Sequence, residues 1–168
     1  MVDWEQRMEE EWGHALVHES GHALMATLQE ILCHGVYYQR SENGGKFCTL
    51  IPPNPADERT KKDYLFLAAG SAAENLIYKD HDEAAAGADR KDFDLPDSPV
   101  FDEAVEDASR ILCSKRRYLK GLISMLKAKA RQVDFDLSRL PEIGMDGSEQ
   151  RYSVLLSKKE LEAAVRRP

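Results

Sequence analysis

Residues 5–32 contain no proline, and their apolar positions Trp12, Ala15, Leu16, Ala23, Met25, Ala26, Leu28 and Leu32 recur at helical spacing. Inside that run stands His18-Glu-Ser-Gly-His22, flanked by Ala15-Leu-Val17 and Ala23-Leu-Met25. This pentad constrains the chain more than any other feature. Residues four apart on a helix share a face, with about 5–6 Å between Cβ atoms. Two imidazoles at that spacing can reach one zinc ion at about 2.0–2.1 Å. Glu19, about 100° further round the helix, misses the metal and can hold the attacking water. Zinc lowers the pKa of such a water towards about 7, and the carboxylate can then take its proton. Gly21 costs about 1 kcal/mol against alanine inside a helix, which implies a close approach by a neighbouring element.

A catalytic zinc wants a third protein ligand and one open position. His14 lies on the same helix face as His18, but positions 14 and 22 span about 12 Å of helix. One ion cannot bind all three histidines with good geometry, and His14 reads as a polar rim residue. His34 falls in a chain break before a strand, and His81 sits in an acidic, solvated loop. Carboxylates remain: Glu74 in Gly70-Ser-Ala-Ala-Glu-Asn-Leu-Ile-Tyr78, and Asp89 and Asp92 after Gly87-Ala88. As an alternative to a ligand, Glu74 reads as a buried carboxylate that hydrogen-bonds beside the zinc helix.

Around this helix the pattern predicts an α+β fold that is predominantly helical: a zinc-binding helix packed in a helical bundle with a small β-hairpin or sheet. Val36-Tyr-Tyr38 and Phe47-Cys-Thr-Leu-Ile51 are β-rich runs around Ser41-Glu-Asn-Gly-Gly45, a hairpin signal closed by Pro52-Pro53. Lys61–Tyr78 resumes a helical pattern with Asp57 or Thr60 as its cap. Residues 81–99 read as an acidic loop. Residues 101–132 read as one long amphipathic helix with Val105, Ala108, Leu112, Leu119, Leu122, Ile123 and Leu126 inward. A Pro/Gly loop at 141–147 precedes a strand at Tyr152–Leu156, and Ser157-Lys-Lys-Glu160 is a capping box opening a last helix. The length of 168 residues fits a single domain, with the zinc site and hairpin in 14–95 and the long helix, strand and last helix in 101–168.

Lys+Arg 23 against Asp+Glu 30 gives a net charge of −7, which argues against a nucleic-acid partner. Lys115-Arg-Arg117 with Lys127, Lys129 and Arg131 reads as a solvated face. The mostly apolar run from Tyr64 to Ile77 is too short and too interrupted to cross a bilayer, and the acidic start MVDWEQRMEEEW is no signal peptide. Cys33, Cys48 and Cys113, odd in number and without a close pair, read as reduced thiols of a cytoplasmic protein.

Four pieces, in order, resemble the peptidase domain of FtsH-type zinc metalloproteases, which are fused to AAA+ ATPases. Val17-His-Glu-Ser-Gly-His-Ala-Leu24 is similar to the family's HEAGHAL helix, and Gly45-Lys-Phe-Cys-Thr-Leu-Ile-Pro52 to its strand-and-proline segment. Ala69-Gly-Ser-Ala-Ala-Glu-Asn-Leu-Ile-Tyr78 resembles its GGRAAEE helix, and Gly87-Ala88 followed by Asp resembles the turn that supplies its third ligand. The resemblance covers residues 14–95. It implies zinc held by His18, His22 and an aspartate, with Glu19 as general base. The family has two residues between Gly-Ala and its Asp, whereas Asp89 comes at once and Asp92 three residues later. Asp89 is favoured because Arg90-Lys-Asp-Phe93 then starts a helical turn, where an N-terminal carboxylate is favoured; Asp92 and Glu74 stay open.

The implied activity is a zinc-dependent metalloendopeptidase, hydrolysing peptides or unfolded protein segments. No GxxxxGK[ST] loop is present, since Gly44-Gly-Lys46 lies in the hairpin and lacks the first glycine and the hydroxyl residue. Such an enzyme has no unfoldase in these residues and would work on flexible chains or with a separate AAA+ ATPase partner. The competing expectation is a catalytically inactive, zinc-stabilised interaction module of the same fold.

Overall fold

A computed structural model describes residues 6, 12–41, 44–52, 54–79, 89, 99–135, 142–144 and 151–166. The first long element, α1 (Gly13–Leu28), carries the His18–His22 pentad and leads into the strands β1 (Gly35–Ser41) and β2 (Gly44–Leu50). A short 3-10 turn at Ala56–Glu58 precedes α2 (Lys61–Tyr78), and α3 (Pro99–Ser114) and α4 (Arg116–Phe135) follow. Then come β3 (Glu142–Gly144), β4 (Arg151–Ser157) and α5 (Lys158–Arg166). The fold is α+β and predominantly helical, as the sequence pattern predicts.

The hairpin forms where its β-branched and aromatic residues predict it, but it does not stand alone. The sheet is antiparallel in the order β2-β1-β4-β3, so β4 lies against the inner edge of β1. Gly35 makes this junction possible. Its φ is +122°, and a Cβ there would stand 2.2 Å from the Leu156 carbonyl oxygen, inside any tolerable contact. Along the other side of β1, Val36 is paired with Thr49 and Tyr37 with Cys48.

The core joins the elements from both ends of the chain. Leu16, Leu24 and Met25 of α1, Leu119, Leu122 and Leu126 of α4, Leu155 and Leu156 of β4 and Leu161 of α5 are all essentially inaccessible to solvent. Each such side chain contributes about 1.5–3 kcal/mol through the apolar area it removes from water. The helix α2 packs on α1 on one side and on α3 on the other, while α4 packs on α1, β4 and α5.

Three boundaries differ from the sequence expectation. The pentad helix ends at Leu28, four residues early, and Leu32 is 47% exposed instead of lining the buried stripe. The stop is a Schellman-type cap: Glu30 adopts φ +58°, its N–H bonds the Thr27 carbonyl, and the Ile31 N–H bonds the Ala26 carbonyl. A glutamate in place of the usual glycine gives no signal in the sequence. The expected long helix at 101–132 is two helices that break at Lys115. There the Ser114 hydroxyl donates to the Ile111 carbonyl at 2.7 Å, a back-bond that bends helices, and the two halves turn to different partners. Within the expected loop at 141–147, Glu142–Gly144 is a strand that pairs with β4.

Other expectations hold. α2 spans Lys61–Tyr78 with Thr60 at its N-cap, whose backbone N–H donates to the Asp63 carboxylate at 2.7 Å. At the start of α5, the Ser157 N–H donates to Glu160 at 2.9 Å and the Glu160 N–H to the Ser157 hydroxyl at 3.2 Å, closing the capping box. The acidic loop with His81, Gly87-Ala88 and Asp92 lies outside the described residues. No helix among the described residues is long and apolar enough to cross a membrane. Cys33, Cys48 and Cys113 are free thiols, and burial pushes Cys33 up and Cys48 up to about 11, which leaves both poor nucleophiles.

Candidate metal centre

Two ladders of residues, each spaced by four, face each other across α1 and α2. On α1 they are His14, His18 and His22; on α2 they are Phe66, Gly70, Glu74 and Tyr78. His22 Nδ1 meets the Phe66 carbonyl oxygen at 2.7 Å, and His18 Nδ1 meets Glu74 Oε1 at 2.6 Å. His14 Nδ1 meets Glu74 Oε2 at 2.7 Å, and its ring stacks on Tyr78 with centroids 4.2 Å apart. Residue numbers rise on one helix as they fall on the other, so the two run antiparallel.

Glycines let the helices come this close. A Cβ at Gly21 would lie 2.3 Å from the Ala69 carbonyl oxygen and 2.6 Å from the Ala73 Cβ. At Gly70 it would lie 2.4 Å from the His18 ring. The sequence anticipates the close approach at Gly21; the role of Gly70 becomes visible only when it is set four residues before Glu74 and opposite a histidine.

The hydrogen bonds decide the tautomers. A carbonyl oxygen only accepts, so His22 must donate from Nδ1; Glu74, as a carboxylate, requires the same of His18. In the neutral rings both Nε2 atoms therefore carry lone pairs. Yet these two Nε2 atoms are 3.0 Å apart, and Asp89 Oδ2 lies 3.1 Å from that of His18 and 3.5 Å from that of His22. Among the described residues Asp89 Oδ2 is buried and makes no well-formed hydrogen bond. Three electron-rich atoms facing one another in a buried site call for positive charge between them, which a proton on an imidazole or a metal cation can supply.

A zinc ion fits that requirement. Ligands at about 2.0–2.1 Å in a tetrahedral arrangement stand about 3.3–3.4 Å apart, and the three separations here bracket that value. Two imidazole nitrogens and one carboxylate oxygen are a donor set that divalent metals, zinc among them, accept. His18, His22 and Asp89 form the one group among the described residues with three such atoms in reach of a single ion. Burial lowers the His18 pKa, but the Asp89 and Glu74 carboxylates outweigh it and hold it at about 10. Burial also opposes the charge on His22, and Asp89 again raises it. Asp89 itself is held down to about 2, with the two imidazoles overriding its burial. The pocket therefore favours positive charge at the point where the three atoms meet.

Glu74, left open as a third ligand, sits on the far side of the His18 ring from this point. It is fully buried and orients a histidine through Nδ1. His14 is turned to Glu74, away from the converging atoms, and so is more than a rim residue. His34 is exposed, and its backbone N–H bonds the Leu50 carbonyl.

Glu19 is not one of the three converging residues, though its charge is close enough to raise the pKa of both His18 and His22. Its Oε2 accepts a hydrogen bond from the Thr49 hydroxyl of β2 at 2.6 Å, leaving it outside the cluster. Nothing in the hairpin pattern singled out Thr49; a threonine in a β-rich run needs no further reason to be there. The Phe66 carbonyl is equally silent in the sequence, since any residue type supplies one. No family model, no curated protein and no solved structure matches the chain, so its functional reading rests on this geometry.

Proposed function

We propose that the protein is a zinc-dependent metalloendopeptidase acting on peptides or unfolded protein segments. The observation that carries the reading is the division of labour in the pentad: His18 and His22 converge with Asp89, while Glu19 stands apart and is held by Thr49. A purely structural site needs no such carboxylate beside it.

His18, His22 and Asp89 would hold the ion, leaving one position for solvent or substrate. Zinc there would supply Lewis acidity, activating a water and polarising a peptide carbonyl. Glu19 would accept the proton of the attacking water and return it to the leaving amine, with Thr49 fixing one carboxylate oxygen. Glu74 and the Phe66 carbonyl hold the two imidazoles in the tautomer that offers Nε2. β2 is one of the two outer strands of the sheet among the described residues, and Thr49 ties it to Glu19. An extended substrate adding to that edge would pass beside the base. The resemblance to FtsH-type peptidases supports the same residues in the same roles, and on that likeness a separate AAA+ ATPase could feed folded substrates to the site.

Comparison of wild type with Glu19→Gln, by zinc content and by cleavage of casein, tests the proposal. Both proteins should hold about one zinc per chain, and the variant should lose 10²–10⁴-fold or more in turnover. Equal inactivity with equal metal loading would instead identify a zinc-stabilised interaction module.

A further inference from the structure

We infer that His14 is a positioning residue for the metal centre, fixing through the shared Glu74 carboxylate the ligand His18. The inference rests on reading His18, His22 and Asp89 as metal ligands.

Glu74 is fully buried, and both of its oxygens meet histidine Nδ1 atoms: Oε1 that of His18 at 2.6 Å, Oε2 that of His14 at 2.7 Å. The terminal torsion of a glutamate is broad, so a donor at one oxygen constrains the carboxylate less than donors at both. A second donor at the other oxygen fixes the plane. The direction in which Oε1 presents its lone pair to His18 thus depends on His14, although the two histidines make no contact with the same oxygen. Carboxylates placed behind a ligating histidine set its ring orientation and its basicity towards the metal.

His14 is itself held. Its ring lies against Tyr78 at an interplanar angle of 22°. Tyr78 and Glu74 are four residues apart on α2, so one helix face offers both the ring to stack on and the oxygen to bond. The His14 side chain is 43% exposed and Glu74 not at all. The chain His14–Glu74–His18 therefore runs from a solvent-exposed ring, through a buried charge, to the candidate ligand.

Cobalt(II) titration of the full chain, followed by its visible absorption and by competition with a chelator, tests the inference on wild type, His14→Phe, His14→Asn and His14→Ala. Phenylalanine keeps a ring on Tyr78 but has no N–H; asparagine has no ring but can place an amide N–H where Nδ1 stands. Phenylalanine and alanine should weaken cobalt binding by about 10–100-fold and shift its absorption bands, while asparagine stays within a few-fold of wild type. Melting of the metal-free proteins checks that each is folded, and the phenylalanine–asparagine comparison decides the matter should alanine fail to fold. Wild-type affinity and an unshifted spectrum in His14→Phe would overturn the inference while leaving the metal centre standing. A wild type that takes up no cobalt would overturn the metal reading, and the role of His14 with it.

Discussion

The Thr49 hydroxyl donates to Glu19 Oε2 at 2.6 Å, joining the edge strand β2 to the pentad helix across 30 positions of sequence. The Glu19 backbone carbonyl lies 3.2 Å from the same hydroxyl, so Thr49 is seated against this one residue by two acceptors. A hydrogen bond to a charged group is worth about 1.5–3 kcal/mol.

Thr49→Val keeps the shape and β propensity of the side chain but removes this donor. If Glu19 is the base, kcat should fall about tenfold or more, with KM and zinc content unchanged, and Thr49→Ser should restore most of it. Steady-state kinetics on a fluorogenic peptide provide the measurement. An unchanged kcat in the valine variant would remove Thr49 from the machinery.

Gly70→Ala puts a methyl group 2.4 Å from the His18 ring. The ring must then leave the position from which Nε2 faces His22 and Asp89. Overpacking of this kind costs about 1–3 kcal/mol, and zinc uptake should fall with it, read by a metal-sensitive dye. Gly121→Ala is the control: a Cβ there meets nothing within 4 Å, and both stability and metal uptake should be kept or improved.

The capping box of α5 gives a pH-dependent prediction. The Ser157 backbone N–H holds the Glu160 carboxyl below its ordinary value, with the Ser157 hydroxyl and Lys129 adding to it. A carboxyl lowered by folding stabilises the protein above its unfolded pKa, and that contribution disappears as pH falls through the folded pKa. Glu160→Ala should therefore cost about 0.3–1 kcal/mol at neutral pH, the lower end because solvent screens the half-exposed carboxyl, and its deficit should shrink below about pH 4. Urea denaturation at pH 7 and at pH 3.5 would show whether the gap closes.

Glu30 holds φ +58° at the end of α1, a conformation that costs an L-residue about 1–2 kcal/mol and glycine nothing. Glu30→Gly should raise the denaturation midpoint by the equivalent of about 0.5–1 kcal/mol, after the larger entropy loss of glycine is subtracted. A lower midpoint would mean that the Glu30 side chain contributes more than its backbone strain costs.

These particulars show which features were legible in the sequence. His18, Glu19 and His22 could be placed because a spacing of four on a helix has one geometric meaning. The starts of α2 and α5 were marked by capping chemistry at Thr60 and Ser157. Asp89 could be proposed from its turn, yet only tertiary geometry sets it against Nε2 of both histidines and puts Glu74 behind the His18 ring. The helix end at Glu30 carried no mark, because its left-handed position is filled by a residue that normally avoids it. The break at Lys115 has no proline or glycine beside it; the change of packing partner and a serine back-bond produce it. Thr49 and the Phe66 carbonyl act through contacts between distant segments, which periodicity along one segment cannot encode.

The pairing of β1 with β4 has a consequence for how the chain is made. Val36 lies against Leu156, 120 positions later, so the inner edge of the hairpin has no partner until residues 151–157 have left the ribosome. The facing ladders of α1 and α2 are complete by Tyr78, far earlier in synthesis. The two helices that carry the histidines and Glu74 can thus dock while the hairpin still presents an open row of amides and carbonyls. Such a row is an invitation to pair with another nascent chain, and closing it late makes the contact order of this small sheet high and its folding slow.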